Sequence, residues 1–302
     1  MRSVNSKIDF VGNRKWFFLI SGVIILAGVL SLLVQGLNLG IDFKSGTRID
    51  ITMDKPVGQQ AAQAQLEKMG YANPDVTTGG NGQIVVFQTT ETLDSGKVEQ
   101  IRDQFSKAFH QKVQVEEQKV DPVVGRELAR NAIISVLVAS LGIILYVTLR
   151  FEYRFAVAAV LALFYDALFI ISVFSLLQLE VNLVFIAAVL TIVGYSVNDT
   201  IVIFDRIREN MDREKPKTWE ELTALVNISI QQTLVRSINT VLTVVFAAAA
   251  LYLFGGESIK NFSFALLLGL FSGAYSSICI ASQIWVGWKW RSMQRPKSVP
   301  GS

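Results

Sequence analysis

Six stretches of this 302-residue chain are apolar for long enough to cross a bilayer, and they constrain the fold more than any other feature. A membrane-spanning helix needs about 20 such residues. The stretches are Trp16–Leu37, Asn131–Leu149, Phe155–Leu179, Leu183–Phe204, Val235–Phe254 and Phe262–Val286. The chain is 51% hydrophobic and 18% charged, whereas soluble domains carry about 25% charged residues. Disorder is thereby excluded, and the single cysteine, Cys279, excludes a disulfide scaffold. A net charge of +3 is too small for a nucleic-acid surface, so no such partner is expected. The single histidine, His110, rules out a histidine metal cluster or relay within the chain. There is no Walker A sequence, HExxH or CxxC, and no cofactor or metal is expected. The first run is too long for the core of a signal peptide and no small-residue cleavage site follows it, so it reads as a retained anchor. The closing Val299-Pro300-Gly301-Ser302 is set aside as an expected cloning remnant.

Lysines and arginines in the short loops predict the orientation. Arg2, Lys7, Arg14, Lys15, Arg150, Arg154, Arg206, Arg208, Arg213, Lys215, Lys217, Lys289, Arg291, Arg295 and Lys297 fall on one side, and Lys260 alone on the other. Both termini are therefore expected in the cytoplasm, and the long loop after the first span is expected outside. The expected domains are 1–37, the cytoplasmic N-terminus and first span; 38–130, an extracytoplasmic domain; 131–286, spans two to six; and 287–302, a cytoplasmic tail.

The exported loop reads strand, helix, strand, strand, helix, strand. Ile49, Ile51 and Met53 alternate with polar residues as in a half-buried strand, and Ala62, Leu66 and Met69 recur at helical spacing. Gly79-Gly80-Asn81-Gly82 marks a turn before a strand at Ile84–Phe87. Asp94 suits the cap of a helix with Val98, Ile101, Phe105 and Phe109 on one face, and Val113 and Val115 alternate in a last strand. That order predicts a ferredoxin-like α+β domain. The fold hosts many activities, and a folded spacer or docking module with no chemistry of its own is the expected reading.

Three charged residues fall within the spans: Asp166, Asp199 and Arg236. A charge at bilayer depth costs about 2.5–3.5 kcal/mol on insertion scales. Snorkelling accounts for Arg236, near the start of its span, but not for the short Asp199. At about 1.5 Å per residue, Asp199 and Arg236 come out nearly level, while Asp166 is about 9 Å off. Tyr195, Asn198 and Asp199 share a helical face with Thr191; Arg236, Asn239, Thr240 and Thr243 share another with Gln232. Facing each other, the two stripes would form a polar seam, because lipid offers such groups no partners. An aspartate there can take up a proton while the arginine keeps its charge, and loss of the pair would free both helices to shift. A static structural pair is the other reading. The Tyr165-Asp166 pair invites comparison with intramembrane aspartyl proteases, but Ser196-Val197-Asn198-Asp199 lacks the glycines of their second motif. Asp166 is expected to be a structural or secondary polar residue. Gly269 and Gly273 form a GxxxG that permits close packing with an unspecified helix. Thr218 and Glu221 form a capping box, followed by an amphipathic stretch through Trp219, Leu222, Leu225 and Val226, expected to lie at the inner interface.

The run from Gly194 to Asn210, GYSVNDTIVIFDRIREN, closely resembles the signature of the SecF family, the smaller membrane subunit of the bacterial SecDF complex. Leu39–Thr47 (LGIDFKSGT), Thr233–Thr240 (TLVRSINT) and the early Ile8-Asp9-Phe10 agree, with Ser45-Gly46 standing where the family often has Gly-Gly. The resemblance extends over nearly the whole chain. It implies one six-helix half of an RND-superfamily unit and a bacterial cell-membrane location. It also implies SecD, the Sec translocon channel, the translocating preprotein and membrane lipid as partners. The implied function is non-enzymatic: export of proteins driven by the proton gradient, with Asp199 carrying the proton beside Arg236. A passive scaffold of the translocon and an RND exporter of small molecules are the alternatives.

Overall fold

The apolar runs form helices, each of which continues past its run at one end or both. The computed structural model describes residues 9–294. Arg2, Lys7, Ile8, Arg295, Lys297 and Val299–Ser302 lie outside the described residues. In chain order the elements are α1 (Arg14–Val34), a single turn α2 (Ile41–Lys44), β1 (Gly46–Met53), α3 (Gln59–Lys68), β2 (Asp75–Gly79), β3 (Ile84–Thr89), α4 (Ser95–Phe109), β4 (Val113–Val120), α5 (Pro122–Arg150), α6 (Tyr153–Leu177), α7 (Leu183–Glu214), α8 (Trp219–Phe254), α9 (Glu257–Ser276) and α10 (Ser282–Gln294). A π-helical turn, Ser277–Ala281, joins α9 to α10. With that pair counted as one, six helices among the described residues are long and apolar enough to cross a membrane. The protein is a multi-pass α-helical membrane protein.

The chain divides into two compact units. One comprises Asn38–Ser135 with Glu180–Leu183. Its sheet has the order β2-β3-β1-β4, with every neighbouring pair antiparallel. This is the split βαβ arrangement that the order of elements predicts. Ile49, Ile51, Leu66, Ile101 and Phe105 are fully buried on its helical side. Asp94 caps α4 by accepting the backbone N–H of Lys97 at 2.8 Å. His110 ends that helix in a left-handed conformation, φ 50°, so the single histidine stops a helix. Arg48 is nearly buried and ion-paired to Asp50 and Glu180, each at 2.8 Å. Burial pushes the Glu180 carboxyl up, and the Arg48 charge opposes that shift.

Ser45 and Gly46 both have positive φ, 66° and 124°. At Gly46 a side chain would collide with the backbone of Thr89, so glycine is required there. Ser45 combines its φ with ψ 164°, a region open almost only to glycine. Ser45→Gly should therefore raise stability by about 1 kcal/mol, seen as a higher thermal midpoint in detergent.

Among the described residues, the other unit gathers those up to Leu37, Val136–Leu179 and those from Val184 onward. At one end of its core Phe155 stacks on Trp285 at 4.5 Å and meets Phe204 at 4.8 Å. Phe10 and Val11 join this cluster, with their backbone N–H groups bonded to Asn227 Oδ1. Asn227 in turn donates to Asp9 Oδ1 at 2.7 Å.

Two expectations need refinement. The capping box of Thr218 and Glu221 is present, but it starts a single uninterrupted helix to Phe254 rather than a separate interfacial one. Leu222, Leu225 and Val226 are buried in the bundle core, because Phe10, Val11 and Trp285 offer them a protein surface in place of lipid. The GxxxG face acquires a partner: a side chain at Gly269 would strike Ile192 of α7, and one at Gly273 would crowd Ser196. Gly269→Val should cost about 1–3 kcal/mol by overpacking, measured as a lowered thermal midpoint.

Candidate functional site

Asp199 lies on α7 at the margin between its buried and exposed faces. Ile192, Ser196, Thr200, Ile203 and Ile207 face the bundle, while Tyr195 and Asn198 are exposed. Asp199 itself is half-buried. Ser237 of α8, buried, donates its hydroxyl to Asp199 Oδ1. Asp199 Oδ2 is buried and has no hydrogen-bond partner among the described residues. The carboxylate borders a small cleft shared with Tyr195, Asn198, Thr240 and Gly273.

The polar contacts between α7 and α8 continue along the helices. Arg206 Nε donates to Gln232 Oε1 at 2.6 Å, and Asn210 Nδ2 donates to Ser229 Oγ at 2.8 Å and to Gln232 Oε1 at 3.0 Å. A seam thus joins the two helices, but its α8 side is Ser237, Gln232 and Ser229. Arg236, Asn239, Thr240 and Thr243 are exposed instead. Among the described residues no ion pair within 4.0 Å joins Asp199 to Arg236, so the direct pairing expected from level depth is absent. Neighbouring residues on a helix are about 100° apart. Ser237 faces α7, whereas Arg236, one position earlier, is exposed. Depth along the axis says nothing about that angle.

Asp166, expected to be a structural or secondary polar residue, ties three helices together. It is completely buried. Ser196 of α7 and Ser276 of α9 donate to its Oδ2 at 2.5 and 2.7 Å, and Ser272 of α9 donates to Oδ1 at 2.6 Å. Thr200 and Ser277 share a hydrogen bond of 2.7 Å beside them. Asp166 and Asp199 hold different hydroxyls. The sequence reading missed these serines. The signal was present as Ser272 and Ser276, one helical turn apart in an apolar span, but serine scarcely alters a hydropathy profile.

Residues 100–291 match the family described as "Protein export membrane protein SecD/SecF, C-terminal", and residues 30–57 match the "SecD/SecF GG Motif". Protein translocase subunit SecF of Alicyclobacillus acidocaldarius is 46% identical over 96% of this chain and 95% of its own length. This chain belongs to the SecF family.

Other relatives of this SecF-family chain are longer than it is. Protein translocase subunit SecDF of Bacillus subtilis is 48% identical over 96% of the chain, which spans 39% of that protein. A crystal structure of SecDF from Thermus, described as a translocon-associated membrane protein, superposes with a TM-score of 0.86 at 33% identity. It covers 96% of this chain and 40% of its own. A second SecDF structure, in a super-membrane-facing form, gives 0.70 at 33% identity, covering 97% of this chain and 40% of its own. The GG-motif match of this SecF-family chain includes Ser45-Gly46, the two positive-φ positions, which explains in backbone terms why glycines suit both.

Proposed function

We propose that the chain is the proton-coupled subunit of a Sec protein-export assembly, with Asp199 as the group that takes up and releases the proton. The observation that supports this most is the divided state of the Asp199 carboxylate. One oxygen is tied across helices to Ser237, and the other is buried without a partner among the described residues beside a small cleft. A proton reaching that carboxylate would convert an acceptor into a donor. The link to α8 would then change, and with it the relation of α7 to α8. Arg236 cannot give up its own proton and supplies a fixed positive charge one residue from Ser237.

The same geometry supports a second membrane subunit on the polar face. Arg236, Asn198, Asn239, Thr240 and Thr243 are exposed at membrane depth, where lipid satisfies none of them. SecD is the partner that fits, since SecDF relatives carry a longer chain of which this one matches 39%. The basic loops favour cytoplasmic termini, which would put the Asn38–Ser135 unit outside, in position to meet a preprotein leaving the translocon channel. The domains proposed are those of the sequence reading: 1–37, 38–130, 131–286 and 287–302.

The test is export by vesicles that contain this chain with SecD and the translocon, under an imposed gradient of either protons or sodium. Stimulation by the proton gradient alone is expected. Export indifferent to both gradients would leave a passive scaffold, and extrusion of small molecules without preprotein would favour an exporter.

A further inference from the structure

We propose that a cleft lined by the ends of α1, α6, α8 and α10 binds an acidic membrane phospholipid, its phosphate held by arginines and its acyl chains lying along the apolar floor. The inference is independent of proton coupling. The cleft is lined by residues from the N-terminal ends of α1, α6 and α8 and by α10.

Two arginine-capped aromatic pairs form its rim. The Arg14 guanidinium lies 4.8 Å over the Trp219 ring, which meets Trp290 edge-on at 5.6 Å. The Arg154 guanidinium lies 4.9 Å over the Tyr153 ring, which meets Trp288 edge-on at 5.9 Å. Tryptophan and tyrosine favour the headgroup level of a bilayer, so the rim matches the depth of a lipid phosphate. Arg291 adds a third cation, and no carboxylate is among the described residues that line the cleft.

Two buried polar atoms point to a specific ligand. Arg154 donates Nη1 to Glu152 at 2.6 Å, yet its Nε is buried with no partner among the described residues. Gln283, 2% exposed, donates its Nε2 to the Ile278 carbonyl, which leaves Oε1 buried and unpartnered. A lining that combines arginines with Gln283 and Ser292 suits a headgroup with both a phosphate and a hydroxyl. Phosphatidylglycerol is of that class, and phosphatidylcholine lacks the hydroxyl and carries no net charge. Below the rim Phe18 and Leu161, 40% and 48% exposed, offer apolar surface for acyl chains. Gly287 lines the cleft, and a side chain there would meet nothing within 4 Å. The cleft can therefore be filled by mutation without displacing protein atoms.

The experiment uses the purified full chain in detergent micelles and follows tryptophan quenching by phosphatidylglycerol with brominated chains, against brominated phosphatidylcholine. Trp219, Trp288 and Trp290 lie at the site. A preference of roughly fivefold or more for phosphatidylglycerol is expected, given the usual attraction of one arginine to an acidic lipid. It should fall to about onefold in Arg14→Gln/Arg154→Gln, because the charge contribution disappears. It should fall equally in Gly287→Leu, which keeps every charge and whose fold is checked by circular dichroism. Inorganic phosphate at the same concentration should not displace the lipid. Equal quenching by the two lipids, a preference that survives Gly287→Leu, or displacement by phosphate alone would each overturn the assignment. The first of these results would make the cleft the seat of a neighbouring protein helix.

Discussion

Replacing Asp199 by asparagine is expected to abolish the gradient-dependent part of protein export while leaving the chain folded. The amide is nearly the same size as the carboxylate. Its Oδ1 can still accept the Ser237 hydroxyl, and its Nδ2 takes the place of an oxygen that has no partner. The folding penalty should stay within about 1 kcal/mol, the net worth of an ordinary hydrogen bond. What disappears is the ability to change charge. One elementary charge crossing the membrane field gains about 2.3 kcal/mol per 100 mV, enough to bias a two-state equilibrium about fiftyfold. Without a carrier that bias cannot reach the α7–α8 contact. The check is the ratio of preprotein export with and without a proton gradient, which should fall to about one while the melting temperature holds. A ratio unchanged from the parent chain would move the coupling site elsewhere.

Replacing Asp166 by alanine should have the opposite profile: a large loss of stability. The carboxylate is fully buried and accepts hydroxyls from Ser196, Ser272 and Ser276, which tie α6 to α7 and α9. Truncation leaves three buried hydroxyls facing a void. Each unsatisfied group costs about 1–3 kcal/mol, so a loss of about 3–5 kcal/mol or more is expected. Asp166→Asn keeps an acceptor, and the serine hydroxyls can turn to meet the amide. Its penalty should be near 1–2 kcal/mol, roughly one hydrogen bond. Thermal unfolding in detergent separates the two variants. Equal losses would mean that the charge of Asp166, and not its role as acceptor, holds the helices together. Among the stability changes expected here this one is the largest.

Much of the architecture is legible along the chain, because it depends on local periodicity. Continuous apolar runs give membrane helices whatever they pack against. Alternation at Ile49, Ile51 and Met53 and the helical spacing of Ala62 and Leu66 determine which sides of β1 and α3 are buried. The capping residues Asp94 and Thr218 act within one turn of themselves, and both behave as their local sequence requires. The candidate site is legible only in part. That an aspartate within α7 stands beside polar residues of α8 follows from spacing and depth. Which α8 residue it touches does not.

Local order in this molecule, then, follows from its one-dimensional pattern: six apolar helices, a four-stranded sheet with two helices, and acids at defined depths. Rotation about each helix axis does not, because it is set by how several helices pack at once. A turn of about 100° exchanges Arg236 for Ser237 at the Asp199 carboxylate. The serine cage of Asp166 needs α6, α7 and α9 to converge, although more than 100 residues separate Asp166 from Ser272 and Ser276. Apolar periodicity is blind to such convergence, since serine is small and nearly neutral in hydropathy and acquires a polar function only when a buried partner comes within hydrogen-bond range.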